Sequence, residues 1–458
     1  MPRPDPEAEI IDSWKELSRF LSRDVRTLQR WERTRGLPVR RMPGGAKPGV
    51  YALKSELEAW RRSRRIHPAS SEDAAAAPST PPSVAVLPFL NLAGDKEDQY
   101  FADGLADEII TALSGLPGLR VTARTSSFAF RGKEQDIREV GRRLNARAVV
   151  EGSVRRSGSR VRVTAQLVET SEGYHLWSER FDRELTDVFA IQDDITRAIV
   201  NALRVRLTRA VPLARPQTKN AEAYHLWLKG RYHTLRQTPN EILRSRELFA
   251  QAIALDPAFG RAHLGLAESW WEGAVLGLDR PREAVAIGRQ SVLKALEIDD
   301  TLGEAHAMLG VYLGVHDFDW VAAERAFRRG LELSPASPQV RTRYAAWLLE
   351  PNLRLEEART ELESALEFDP LSPVVHAYLG HHLIFRRNFR LAGEEFQLAI
   401  ELDPGYWVAH ALLAGSYMFQ GLFDQSIAIC EKVLEAIGPN PMLMGAAALV
   451  RAILGDRQ

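Results

Sequence analysis

Apolar positions recur at helical spacing through most of this chain and alternate over one short stretch near its middle. At the N-terminal end, Trp14, Leu17, Phe20 and Leu21 share the inner face of a short helix over residues 12–21. Ser22 to Asp24 make a polar break, and Ser22 or Asp24 can accept from the free amides of the next helix. That second helix runs from Val25 to Arg35 and stops at Gly36, a residue suited to a left-handed helix end. Around it, Val25, Leu28 and Trp31 fall near about 0°, 300° and 240°, and Arg26, Arg30 and Arg33 near about 100°, 140° and 80°. Three guanidinium groups therefore share one arc, away from the apolar stripe. Leu37 to Met42 and Val50 to Leu53 predict two short strands around a basic, glycine-rich turn, and Lys54 to Arg65 a closing helix with Leu57 and Trp60 turned inward.

Residues 83–211 read as a mixed α/β unit. Val84 to Phe89 is an apolar run suited to a buried strand. Phe101, Leu105, Ile109 and Leu113 repeat every four residues along a helix from Tyr100. A second strand follows at Leu119–Ala123, and Ile137, Val140 and Leu144 mark another helix. A hairpin joins Ala148–Arg155 to the strict alternation Val161, Val163, Ala165, Leu167. His175 to Phe181 reads as a further strand, and a long helix from about Thr186 to Leu207 leads out.

The remainder is periodic. Pro257, Pro335, Pro370, Pro404 and Pro439 each close a helix, the last four at steps of 35, 34 and 35 residues. The 78-residue first gap holds two units, with Asp299 and Asp300 standing where a proline would fall. After Gly380, the positions Ala392, Phe396, Ala399 and Pro404 repeat the small and large residues of a helix–turn–helix unit. Phe327 is the equivalent of Phe396 two repeats earlier. Six units fit from about Asn220 to Pro439, the first two expanded, and one lone helix ends at Gly455.

Three resemblances rest on these residues. The run Val25 to Glu32, followed by Gly36 to Arg40, resembles the winged helix-turn-helix heads of MerR-type regulators and excisionases. That resemblance implies that Arg26, Thr27, Arg30 and Arg33 face the major groove of DNA, and that Arg40, Arg41 and Lys47 grip phosphate. The phrases Val86–Asn91, Phe101–Ile109, Glu151–Arg155 and Gln166–Glu169 resemble the TolB-like (FlgO-like) N-terminal domain. It implies an α/β sensory or assembly domain, without TolB's periplasmic role. The 34-residue period resembles the tetratricopeptide repeat (TPR), whose stacked hairpins present a groove for a protein or peptide partner. The expected organisation is multidomain and mainly α. It comprises a DNA-binding head at 1–66, a flexible linker at 67–82, the α/β domain at 83–211 and an all-α TPR solenoid at 219–458.

Charge changes the picture only once it is located. The chain carries 60 basic and 60 acidic side chains, yet residues 1–66 hold a net +7 and the rest a net −7. A basic head on an acidic body suits a polyanion at one end only, with affinity that falls steeply with salt. Cys430 is the one cysteine, which excludes intramolecular disulfides and cysteine-rich zinc sites. No secretory signal and no apolar run of membrane length is present in the sequence, so a cytoplasmic protein that does not enter membranes is expected.

Candidate chemistry adds little. Gly132-Lys133 lacks the spacing of a phosphate loop, and no G-x-G-x-x-G, H-E-x-x-H or G-x-S-x-G occurs. His306, His376 and His410 occupy one position on the first helices of their repeats. Repeat phasing keeps them about 8–10 Å apart per neighbour, so they are read as packing or groove-lining residues and not as metal ligands. Asp103, Asp107 and Glu108 near a helix start are read as favourable charges at its positive end. No catalytic set, cofactor or metal is expected. The function expected is a cytoplasmic DNA-binding transcriptional regulator or adaptor, not an enzyme, whose solenoid recruits a protein. A homodimer, a scaffold that binds no DNA and an accessory subunit of a signalling enzyme stay open.

Overall fold

The computed structural model describes residues 10–11, 13–21, 28, 32, 37–41, 50–54, 56–57, 82–92, 96–116, 118–132, 136–157, 160–184, 188–202 and 218–455. The chain divides into two units, Met1–Thr80 and Pro81–Gln458.

In the first unit, β1 (Ile10–Ile11), β2 (Arg40–Arg41) and β3 (Val50–Leu53) form an antiparallel sheet in the order β1-β3-β2. Arg40 stands opposite Tyr51 and Arg41 opposite Val50, so the two strands expected around the glycine-rich turn do pair. β1 is an addition that two residues of sequence could not announce. Leu17 of the Trp14–Leu21 helix, Leu28, Leu37, Val50, Ala52 and Leu57 make the core, with Trp14 and Phe20 packed at its edge. The arc of Arg26, Thr27, Arg30 and Arg33, together with Lys47 and the linker over 67–81, lies outside the described residues.

The second unit begins with a mixed sheet of β4 (Ser83–Val86), β5 (Leu90–Asn91), β6 (Arg120–Val121), β7 (Ala148–Ser157), β8 (Arg160–Glu169) and β9 (His175–Glu184). Its order is β6-β4-β7-β8-β9, with β5 beside the outer half of β7. β4 to β6 pair in parallel with their neighbours, whereas β7, β8 and β9 form an antiparallel meander. All four residues of β4 are buried, as a strand covered on both faces requires. One face carries the helices Lys96–Ser114 and Val188–Ala202, packed through Phe101, Leu105, Ile109, Leu113, Ile191 and Ile195. Val140 and Leu144 of the Ile137–Leu144 helix cover part of the other, against Ala85 and Val149. The Lys96–Ser114 helix starts a turn before the apolar period does, and a short helix, Arg124–Phe128, follows β6 unannounced.

From Ala221 onward the described residues are six antiparallel helix pairs and a last helix, Pro441–Leu454. The pairs are Ala221–Thr234 with Pro239–Leu255, Gly260–Val275 with Pro281–Ile298, and Gly303–Val315 with Trp320–Leu333. Pro338–Leu349 with Leu355–Phe368, Pro373–Phe385 with Phe389–Leu402, and Trp407–Phe419 with Phe423–Ile437 complete the set. The closing prolines each fall two residues past a helix end, where the preceding residue is biased away from helix. Close approach of paired helices rests on glycine facing phenylalanine. A Cβ on Gly310 would sit 2.8 Å from the Phe327 ring, and one on Gly380 would enter the ring of Phe396. Each pair turns through one residue at positive φ: Gln237, Gly277, Phe318, Leu353, Arg387 and Gly421. In the fourth pair the first helix ends in a π-helical stretch, Ala345–Leu349, which widens the turn and swings Glu350 inward.

Candidate functional site

In the head, Arg40 leaves β2 with its side chain half exposed and its Nη2 is 2.6 Å from Oε1 of Glu56. This expected phosphate-gripping side chain is therefore held by a carboxylate from the segment that follows β3. Leu28, which shares the expected second helix with the arginine arc, is fully buried. Arg41 is the next residue of β2.

In the array, a basic residue at the fourth position of the first helix recurs in five pairs. Nε2 of His263, His306, His376 and His410 donates to the carbonyl of the residue six before it, at 3.1, 2.9, 3.3 and 3.1 Å. Arg341 does the same toward Pro335, with Nη2 at 2.7 Å. Each ring braces its own inter-repeat turn, so the repeated histidines are packing residues. His376 adds a second bond, from Nδ1 to Glu395 at 2.7 Å.

The pair His381 and His382 meets the inward Glu350. His381 Nδ1 lies 2.7 Å from one carboxylate oxygen and His382 Nδ1 3.4 Å from the other. Burial pushes the Glu350 pKa up, but the hydrogen bond from His381 and the nearness of the His382 ring outweigh it and hold the group below its usual range. Nearby, first helices two repeats apart touch directly. Trp271 and Trp347 meet edge to face at 5.3 Å, and Arg343 donates to Glu268 at 2.8 Å. Beside them burial raises Glu272 to about 7, with the Glu268 charge adding to the shift and Arg343 opposing it.

Asp103, Asp107 and Glu108 of the Lys96–Ser114 helix all find arginines. Arg131 pairs with Asp103, and Arg124 lies 3.7 Å from Asp107. The other two partners come from the array: Arg231 pairs with Asp107, and Arg261 Nη1 is 2.7 Å from Glu108. A second link lies at the far side of the α/β part. Ser126 donates to Asp369 Oδ1 through its backbone N–H at 2.8 Å and through its hydroxyl at 2.5 Å. Its oxygen then accepts from the Leu371 amide at 2.7 Å. The sequence shows these carboxylates and arginines but not which of them meet, because no spacing rule joins residues more than a hundred positions apart.

Residues 80–198 match the family described as the HilA/YgeH-like transcriptional regulator, second domain. The matched stretch is the α/β part of the second unit and extends through β4 to β9. The chain is 41% identical over 241 residues to "Putative adenylate cyclase 3" of Rhizobium meliloti (strain 1021), covering 51% of this chain and 40% of that protein. It is 24% identical over 299 residues to the transcriptional regulator HilA of Salmonella typhimurium, covering 63% of this chain and 51% of HilA. The chain spans about half the length, or less, of these curated relatives. Among solved structures, the Cut9–Hcn1 hetero-tetramer of the APC/C is similar with a TM-score of 0.37 at 16% identity, over 50% of this chain and 42% of that one. The TPR protein YrrB, described with an unusual peptide-binding site, gives 0.25 at 21% identity, over 40% of this chain and 88% of that one. Among the described residues no helix is long and apolar enough to cross a membrane.

Proposed function

We propose that this chain is a DNA-binding transcriptional regulator whose helical-repeat body recruits a protein partner. The observation that carries the reading is the match of residues 80–198 to a domain of HilA/YgeH-like regulators, directly behind a segment of net charge +7. On this reading Arg26, Thr27, Arg30 and Arg33 read base edges in the major groove, where an arginine fork suits guanine. Arg40, Arg41 and Lys47 hold phosphate beside it, with Arg40 shared between phosphate and Glu56. The head belongs to the winged helix-turn-helix type, with a MerR-like arrangement, and the α/β domain to the TolB-like type. Footprinting of the purified chain on genomic fragments tests the reading. Protection that Arg26→Ala and Arg30→Ala abolish supports it, and absence of any protection in low salt overturns it.

A second reading has its own support. The 41% identity to a protein named as an adenylate cyclase favours a body that also serves signalling enzymes as an accessory module. Under that reading, deleting residues 1–66 leaves partner binding intact and abolishes nothing else.

A further inference from the structure

The Lys96–Ser114 helix has two working faces. Phe101, Leu105, Ile109 and Leu113 pack on the sheet. Tyr100, Gly104, Asp107 and Glu108, at i, i+4, i+7 and i+8, turn to the first two helix pairs of the array. Tyr100 meets Tyr232 edge to face at 4.8 Å. Gly104 lies so close to Leu228 that a Cβ there would run into that side chain. Arg231 takes Asp107 and Arg261 takes Glu108, and both carboxylates are almost fully buried. That spacing of anchors is how a groove holds a helix.

We propose that Leu228, Arg231, Tyr232 and Arg261 form the partner-binding surface of the array. Its ligand is an acidic helix with an aromatic residue, a small residue four positions on and two successive carboxylates three and four after that. The helix of the α/β domain is the tethered ligand of this surface. The inner face offers less room, because Trp271, Trp347 and Arg343 already fill it from within. Leu228 favours a small residue by contact, since a Cβ at that position would meet its methyl groups and force the side chain to shift. The two arginines select adjacent carboxylates, whose charge is costly to bury without them. Tethering gives the internal helix a high effective concentration, so a free ligand enters only when the internal one is weakened or withdrawn. The inference rests on the partner-recruiting role given above for the array and is independent of DNA binding.

The test uses the full chain in the absence of nucleic acid. The double variant Asp107→Arg with Glu108→Arg keeps the sheet-facing residues and repels Arg231 and Arg261, together with Arg124 of the α/β domain itself. Gly104→Leu is a second, purely steric variant. The probe is a fluorescein-labelled peptide of residues 96–114, alongside one carrying Asp107→Arg and Glu108→Arg. Expected are faster hydrogen exchange over 224–233 in both variants, and peptide binding by the opened chains but not by wild type. Binding of the reversed peptide should be at least tenfold weaker, a difference of about 1.4 kcal/mol. Adding Arg231→Asp and Arg261→Asp to the charge-reversed chain should restore protection. Unchanged exchange in the variants, or equal binding of the two peptides, overturns the proposal. Failure to footprint DNA bears on the preceding reading alone.

Discussion

The Asp369 carboxylate caps a helix that lies 243 residues away in the sequence, by accepting from the backbone N–H of Ser126. The Arg124–Phe128 helix has Ala123 at its N-cap, which offers no side-chain acceptor. Free amides at a helix start need a partner, and a turn of the repeat array supplies it. Ala123 N–H donates to Phe368 carbonyl at 2.8 Å in the same contact. The array therefore completes the local structure of the α/β domain instead of merely adjoining it.

Removing that cap should be expensive for its size. Asp369→Ala deletes two hydrogen bonds to Ser126 and is expected to destabilise the second unit by about 1–3 kcal/mol. Urea unfolding of wild type, Asp369→Ala and Ser126→Ala, with the double variant, would show strong coupling between the two sites. Simple additivity of the single effects would count against the cap.

Glu272 gives a pH-dependent prediction. Burial raises its folded-state pKa to about 7, so the folded chain binds that proton more tightly than the unfolded chain does. The stability it contributes is present at acid pH and is lost as pH rises through about 7. Glu272→Gln should therefore gain about 1–3 kcal/mol relative to wild type at pH 8.5 and little at pH 5. Equal effects at the two pH values would contradict the assigned burial.

Glu350 behaves in the opposite sense. Its folded pKa lies below the usual carboxylate range, so its contribution is present above that range and fades as pH falls through the lowered value. Glu350→Ala removes the hydrogen-bond acceptor of His381 and the carboxylate beside His382, and should cost about 1–3 kcal/mol at pH 7. Thermal unfolding followed by circular dichroism would register the loss. A shift within error of wild type would remove Glu350 from the packing of the fourth and fifth helix pairs.

Arg40 and Glu56 make a prediction for the head. If the arginine serves phosphate, its ion pair with Glu56 competes with DNA. Glu56→Gln should tighten binding modestly and steepen the salt dependence by up to about one counterion. Arg40→Ala should weaken binding on every sequence alike. Looser DNA binding by Glu56→Gln would instead assign Glu56 a positioning role.

Local pattern made the repeats legible. Proline spacing fixed where helices end, and Gly380 with Phe396 marked how closely a pair approaches. The alternation of Val161, Val163, Ala165 and Leu167 gave β8, whose inward residues are all buried. The π-helical widening before Glu350 left no sequence mark, because an i to i+5 turn uses the same residues as an α-helix. Nor did Asp107 reveal Arg231, or Asp369 reveal Ser126. Those meetings depend on how the array curves, which is a sum of small packing angles between helices that local periodicity does not encode.

The claim on which the function depends is that the N-terminal segment neutralises DNA phosphates. The most direct measurement is the affinity of the full chain for a footprinted duplex as a function of salt, compared with a chain lacking residues 1–66. A linear fall of log K with log salt, with a slope of magnitude about 3 or more, is predicted for wild type. Arg41→Ala should flatten it, and deletion of the head should abolish binding. A flat salt dependence, or full affinity without residues 1–66, would contradict it.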